Sequence, residues 1–458
     1  MVSDPFFIYL FLSLLFFLAL LRPQLAILAC LAILPSYLLK LSIFGIPTTV
    51  LELSIYATFI GSFCSLLFFK SKNPKSEIRN PKQYQILKHQ NSKLFDIWVL
   101  NLFRASTLEF RILLGGLFWP IIAWLIITVI SALFSENIQT ALGGWKAWVL
   151  DPILVLILII RFFKPTDLWK IIASLSVSSA VLSFYGLAEY FLWPGQLGDG
   201  RLDSVFDPAN YHAMLVGPII MLAIGFLFHR QTPRFWKYCL GIASAINLIA
   251  LVFTFSYGGY LAVLGGLIIY GFLALNRAQK KKMIFGALII FIIFLALASP
   301  TKKFQNIFDY KERSSGHARL EIWQTSWLIF KEHPIIGAGL NNFEDVYRET
   351  IPRVAFPPLE WLVAQPHNLY LALLTQTGLL GLFAFLWIII QFFKSTNRDT
   401  RNASYKLQVT SFAALSAILI HGLVDTPYFK NDLSIIFWVI IAVSIVIFKQ
   451  TERNQTDQ

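Results

Sequence analysis

Apolar residues fill long runs in this chain, and charged residues gather mostly in the breaks between them. The runs cover residues 5–21, 24–40, 50–69, 112–134, 147–163, 169–193, 211–228, 238–256, 258–275, 283–299, 368–393, 408–426 and 433–449. A membrane-crossing helix needs roughly 20 predominantly apolar residues, so the pattern predicts an all-α polytopic membrane protein of about 12–13 transmembrane helices. The first two runs are short and are expected to form a helical hairpin. The first lacks a basic leader and a small-residue cleavage site, so it reads as a retained helix.

The breaks carry an orientation. Lys70, Lys72, Lys75, Arg79, Lys82, Lys88 and Lys93 crowd one of them. Later basic breaks hold Arg161, Lys164 and Lys170; Arg230, Arg234 and Lys237; Arg277, Lys280, Lys281 and Lys282; and Lys394, Arg398, Arg401 and Lys406. The intervening short breaks carry little: Lys40, Lys146, Arg201 and Lys430. Basic loops stay on the cytoplasmic side, so the first set and the polar tail 451–458 are expected inside. The short loop 194–210 and the long loop 300–367 are then extracytoplasmic. Connectors of that second length are uncommon and usually functional. Within it, Leu320, Trp323, Trp327 and Phe330 recur at helical spacing, which predicts a helix with one apolar face and Arg319 near its start. Gly337-Ala-Gly339-Leu-Asn-Asn342 breaks that helix and reads as a glycine turn, since no strand precedes it as a dinucleotide loop would require.

Composition sharpens this picture. Hydrophobic residues make up 57% of the 458 and charged residues only 14%, where a soluble domain carries about 25% charged. The net charge of +13 sits in the topology-setting loops, and no basic-aromatic nucleic-acid module is present. Cys30, Cys64 and Cys239 are far apart and lack Cys/His partners, which argues against a disulfide framework or a zinc site.

A few polar residues stand out against the apolar background. Arg201 lies in the short loop before Phe206-Asp-Pro-Ala-Asn210. It is either a solvated charge at a helix end or an anion clamp, for which a guanidinium suits phosphate oxygens. Arg319 carries the same two readings. His367 follows Pro366 at the start of a helix, where it either anchors the helix or serves as a neutral imidazole that takes a proton from a hydroxyl. His421 and Asp425 are spaced to share a helical face near the membrane, as a structural pair or as functional groups.

Several stretches carry a resemblance. They are Gly316-His-Ala-Arg-Leu-Glu-Ile-Trp323, His333-Pro-Ile-Ile-Gly-Ala-Gly-Leu-Asn-Asn-Phe343, Pro366-His-Asn-Leu-Tyr-Leu371 and Thr377-Gly-Leu-Leu-Gly381. With Gly200-Arg-Leu-Asp-Ser upstream and His421-Gly-Leu-Val-Asp425 downstream, the chain resembles the O-antigen ligase/polymerase family of bacterial membrane glycosyltransferases. It departs from that family at Ser256-Tyr257-Gly258, where an arginine is common, and its first 110 residues match no named pattern.

The resemblance implies a GT-C-like membrane domain over 111–450 behind an N-terminal unit 1–110. It implies a multi-pass protein of the cytoplasmic (inner) membrane with its site on the extracytoplasmic face. The donor is a polyprenyl (undecaprenyl-type) diphosphate-linked glycan, the acceptor a lipid, glycan or protein, and transfer inverts the anomeric carbon. No metal, cofactor or nucleic acid is expected. Carried over by motif, Arg201 and Arg319 hold the diphosphate and His367 is the base, with Asn210, His421 and Asp425 as supporting candidates. A ligase transfers the finished glycan, whereas a polymerase joins lipid-linked repeat units. A membrane transporter is the alternative from another class, although transporter sites favour the midplane.

Overall fold

In the computed structural model, residues 5–43, 46–70, 111, 114–197, 200–298, 315–394 and 403–456 are described. Most of the basic segment 70–96, the first part of the loop 300–367 and the tip of the basic loop after Lys394 lie outside these residues. Every predicted apolar run falls on a helix. The chain opens with α1 (Pro5–Leu21) and α2 (Pro23–Ala32), joined through Arg22 alone as the short runs predict. The run 24–40 is not one helix, however. Pro35 and the following polar residues tighten it into a 3-10 turn at Leu34–Leu38, and an antiparallel hairpin follows, β1 (Lys40–Ile43) with β2 (Ile46–Thr49). Next come α3 (Val50–Lys70), α4 (Phe118–Leu133), α5 (Ile138–Trp145), α6 (Asp151–Phe162), α7 (Leu168–Leu192), α8 (Asn210–Leu227), α9 (Arg234–Phe253), α10 (Tyr257–Ala274) and α11 (Arg277–Ala298). After the break come α12 (Ser315–Glu332), α13 (Phe343–Thr350), α14 (Leu369–Lys394), α15 (Ala403–His421) and α16 (Asn431–Thr456). Among the described residues, 8 helical stretches are long and apolar enough to cross a membrane. The protein is an all-α polytopic membrane protein.

Helices in an apolar solvent must satisfy their backbone internally, and two irregular places show how this chain does so. A π-helical turn, Lys146–Leu150, joins α5 to α6. Pro152 has no N–H for the carbonyl of Trp148, and the Tyr428 hydroxyl donates to that carbonyl instead at 2.9 Å. Tyr428 in turn accepts from Trp438 Nε1 at 3.1 Å. Its ring sits among Trp124, Phe385 and Phe437 in the centre of the bundle.

The second place is Gly378, which interrupts α14 with φ 64° and ψ −166°. The kink frees the N–H groups of Leu379 and Leu380 and the carbonyls of Thr375 and Gln376. The Pro334–Ala338 backbone supplies most of the missing partners. Leu379 N donates to Pro334 O (2.9 Å), Leu380 N to Ile335 O (3.2 Å), and Ala338 N to Thr375 O (2.8 Å). Ser131 Oγ donates to Gln376 O at 2.5 Å. The predicted glycine turn is therefore a plug that completes a broken helix.

The predicted amphipathic helix is α12, and the face that packs on the rest of the protein is not the Leu320–Trp327 stripe. Ala318, Ile322, Thr325, Ser326 and Ile329 are buried, and Ile322 and Ile329 pack with Phe343, Tyr347, Ile351 and Val363. Leu320 and Trp327 lie on the far side, close to half exposed. Apolar residues on two faces made the sequence stripe ambiguous, and the tertiary partner selected the face rich in small residues.

Candidate functional site

The predicted site residues converge at one end of the bundle, where α8 and α14 begin and α15 ends. His367 is placed by its backbone. It has φ 50°, a left-handed conformation uncommon outside glycine. Its neighbours fix that conformation. Trp323 Nε1 donates to Pro366 O at 3.1 Å, Asn368 Nδ2 to Leu423 O at 2.9 Å, and Leu369 N to Gly422 O at 2.7 Å. Asn368 also caps α14, its Oδ1 accepting from Tyr370 N and Leu371 N, both at 3.0 Å. Strained residues persist where the surroundings over-determine them, often at functional sites.

The imidazole of His367 meets Asp425, Nδ1 to Oδ1 at 3.1 Å. Asp425 is 3% exposed at its side chain and His367 29%, so the carboxylate is sealed while the ring can be reached. The other carboxylate oxygen accepts from Asn210 Nδ2 at 2.8 Å. Asn210 Oδ1 accepts from Arg201 Nη1 at 3.2 Å. A continuous chain thus runs Arg201–Asn210–Asp425–His367. Arg201 is held because Leu202 N donates to Phe253 O at 3.0 Å, at the end of α9, and the Leu202 side chain fills the space left by Gly186 in α7.

Burial alone would push the Asp425 carboxyl up. The hydrogen bond from His367 and the electrostatic influence of His367, His421 and Arg319 outweigh it and hold the group well below the usual carboxylate range. An ionised carboxylate only accepts, so Nδ1 of His367 is the donor to Asp425, and in the neutral ring the lone pair is then on Nε2. Arg319, half-buried on the first turns of α12, lies near enough to act on Asp425 through its charge.

His421 and Asp425 do not pair along a helix. α15 ends at His421, and Asp425 sits in the following turn with its N–H on His421 O at 3.0 Å. Its carboxylate is directed to His367 and Asn210. His421 is buried, and its Nε2 has no hydrogen-bond partner among the described residues. Gly258 packs on the His421 ring so closely that a Cβ there would lie 2.7 Å from Cδ2. The divergent Ser256-Tyr257-Gly258 segment therefore makes room for His421, while Ser256 caps α10 by accepting from Gly259 N at 3.3 Å.

Two contributors escaped the sequence reading. Gln376 joins Asn341 N (2.8 Å) to Gln365 (2.9 Å), two residues before His367. Trp323 holds Pro366. Both are neutral residues inside or beside apolar patterns, so no local signal marks them. Among the described residues, no group of three His, Cys, Asp or Glu is placed to hold a metal ion, and the three cysteines are free.

A family model and a curated relative each match part of the chain. Residues 242–386 match the model of the family described as O-antigen ligase. That stretch runs from within α9 to within α14 and contains Arg319 and His367; Arg201, Asn210, His421 and Asp425 lie outside it. The chain is also 24% identical over 205 residues, 41% of its length, to an uncharacterized protein of Haemophilus influenzae. The match covers 50% of that relative, so the chain spans about half the length of the curated relative it resembles. The resemblance to the O-antigen ligase family is supported over residues 242–386.

Proposed function

We propose, from the O-antigen ligase match over residues 242–386, that the protein transfers a glycan from a polyprenyl-diphosphate carrier to an acceptor hydroxyl. Transfer takes place at the extracytoplasmic face of the cytoplasmic membrane, with inversion. The observation that carries this reading is the chain Arg201–Asn210–Asp425–His367 at one end of the bundle. The acceptor hydroxyl gives its proton to His367 Nε2 as its oxygen attacks the anomeric carbon. The bond from that carbon to the diphosphate oxygen breaks, and its electron pair leaves with the diphosphate. Asp425 keeps His367 in the required tautomer and stabilises the imidazolium that forms. Arg201 and Arg319 stabilise the charge growing on the leaving group. A ring at a membrane boundary, with its carboxylate partner sealed, limits competition from water.

The experiment is transfer by the purified full chain from a polyprenyl-diphosphate glycan to a panel of lipid, protein and lipid-linked glycan acceptors, with and without a chelator. Wild type is expected to transfer in both conditions. Arg201→Ala and Arg319→Ala, if folded, are each expected to lose about 10²–10³ in kcat, the usual cost of one charge-stabilising donor. A lipid or protein acceptor identifies a ligase and a lipid-linked repeat unit a polymerase. Undiminished transfer by both folded variants would remove the assigned diphosphate site.

A further inference from the structure

Lys430 plays no part in the reaction above, yet it sits in an unusual place. It ends the turn between α15 and α16, five residues beyond Asp425. Its Nζ lies 3.4 Å from the ring centroid of Tyr211, 4.9 Å from that of Phe206 and 5.4 Å from that of Tyr37. Its ammonium forms no ion pair among the described residues. Burial pushes the amine down to about 8, with the charge of Asp432 partly offsetting that. A cation partly withdrawn from water without a paired anion carries a cost, and the aromatic faces offset it here.

The three rings come from three parts of the chain. Tyr37 belongs to the turn after α2, Phe206 to the loop that carries Arg201, and Tyr211 to the first turn of α8, directly after Asn210. The cation therefore holds both ends of the 206–211 segment, the one that presents Asn210 to Asp425. Its own backbone is fixed. Lys430 N donates to Tyr428 O at 2.7 Å, and the Tyr428 hydroxyl is bound to Trp148 O. The next residue, Asn431, donates to Glu52 Oε1 at 3.3 Å. Glu52 is clamped by Lys146 at 2.6 Å and by Thr48 at 2.8 Å.

We propose that Lys430 is a positioning residue for glycan transfer: its ammonium, seated against Tyr211, Phe206 and Tyr37, locks the 201–211 segment in register with Asp425 and ties the N-terminal helices to the site. This rests on the transfer reading above. Removing the cation releases the segment, so Asn210 and Arg201 no longer hold one arrangement and His367 loses part of its support.

The test uses the purified full chain with Lys430→Met, Lys430→Arg, Tyr211→Phe and Tyr211→Leu. Transfer kinetics are measured beside amide hydrogen exchange of residues 201–211. Lys430→Met keeps the stem and loses the charge. It is expected to lower kcat by about tenfold or more and to raise the donor KM. It is also expected to speed exchange at Leu202, Phe206 and Tyr211, whose amides are bonded within or from this segment. Lys430→Arg, whose guanidinium also stacks on aromatic faces, is expected to recover both readouts to within about threefold. Tyr211→Phe should behave as wild type and Tyr211→Leu as Lys430→Met. An exchange rate unchanged in Lys430→Met, or an arginine variant no better than methionine, overturns the proposal. If Lys430→Met does not fold, the two Tyr211 variants decide in the same way. If wild type transfers to no acceptor, the transfer reading has failed, and hydrogen exchange still decides whether the lock exists.

Discussion

Replacing His367 with Asn is expected to lower kcat for transfer by about 10²–10⁴, the range attributed to a general base, while the protein stays folded. Asn is the informative substitution because residue 367 has φ 50°, and Asn tolerates the left-handed region better than Ala. The loss then reports the ring rather than the backbone. Asp425→Asn is expected to cost a comparable factor. Its carboxylate only accepts, which leaves the lone pair on His367 Nε2; an amide in its place can turn an N–H toward Nδ1 and favour the opposite tautomer. The two residues act as a unit, so the double variant should be little worse than the worse single variant. Losses that multiply would show that His367 and Asp425 act independently, and the proposed relay would be wrong.

Asp425 also carries a stability signature. The folded-state carboxyl is held below its unfolded value by His367, His421 and Arg319 despite its burial. A depressed carboxyl stabilises the fold above its unfolded pKa of about 3.9, and that contribution is lost as pH falls through the lower folded value. The gap in Tm between wild type and Asp425→Asn should therefore be full at neutral pH and narrow only below about pH 4. A gap that closes between pH 8 and 6 would point to a different titrating group.

Much of this was legible in the sequence because membrane helices are written in long apolar runs, and all but the run 24–40 lie mainly on one helix. Arg201, Arg319 and His367 stand out for the opposite reason: they are polar residues at the edges of such runs. What could not be read was which of them meet. Asn210 and Asp425 are 215 residues apart, and no local periodicity joins them. Lys430 reads as one stray charge in a sparsely charged loop until three distant rings are found around it. Which face of α12 packs on the protein is not legible either, because two faces carry apolar residues and only Phe343, Tyr347 and Ile351 decide between them. The turn at Gly337 was recognisable as a turn, but its partner was not, because backbone-to-backbone contact leaves no trace in side-chain pattern.

That contact gives the other large effect. Gly378→Ala and Gly337→Ala are each expected to abolish the stable fold, although neither residue touches the proposed chemistry. At Gly378 a Cβ would lie 2.3 Å from the carbonyl carbon and oxygen of Ile335; at Gly337 it would lie 2.4 Å from the carbonyl carbon of Gln376. The opposing atoms are backbone, so no rotamer change relieves the overlap. Both glycines also have positive φ, 64° and 74°; the φ and ψ of Gly378 fall in a region essentially reserved for glycine, where another residue costs about 1–3 kcal/mol. Separating the two segments would strip partners from Leu379 N, Leu380 N and the carbonyl of Thr375, each costing about 1–3 kcal/mol when buried and unsatisfied. Together these terms approach the whole stability of an ordinary domain, about 5–15 kcal/mol. Folded yield and Tm in detergent are the measurements. Gly143→Ala is the control, because its Cβ would meet nothing within 4 Å and alanine is favoured in a helix by about 1 kcal/mol. If Gly378→Ala folds as well as Gly143→Ala, the plug between Pro334–Ala338 and the α14 kink does not hold the 333–342 turn, and His367 owes its position to Trp323, Asn368 and Leu369 instead.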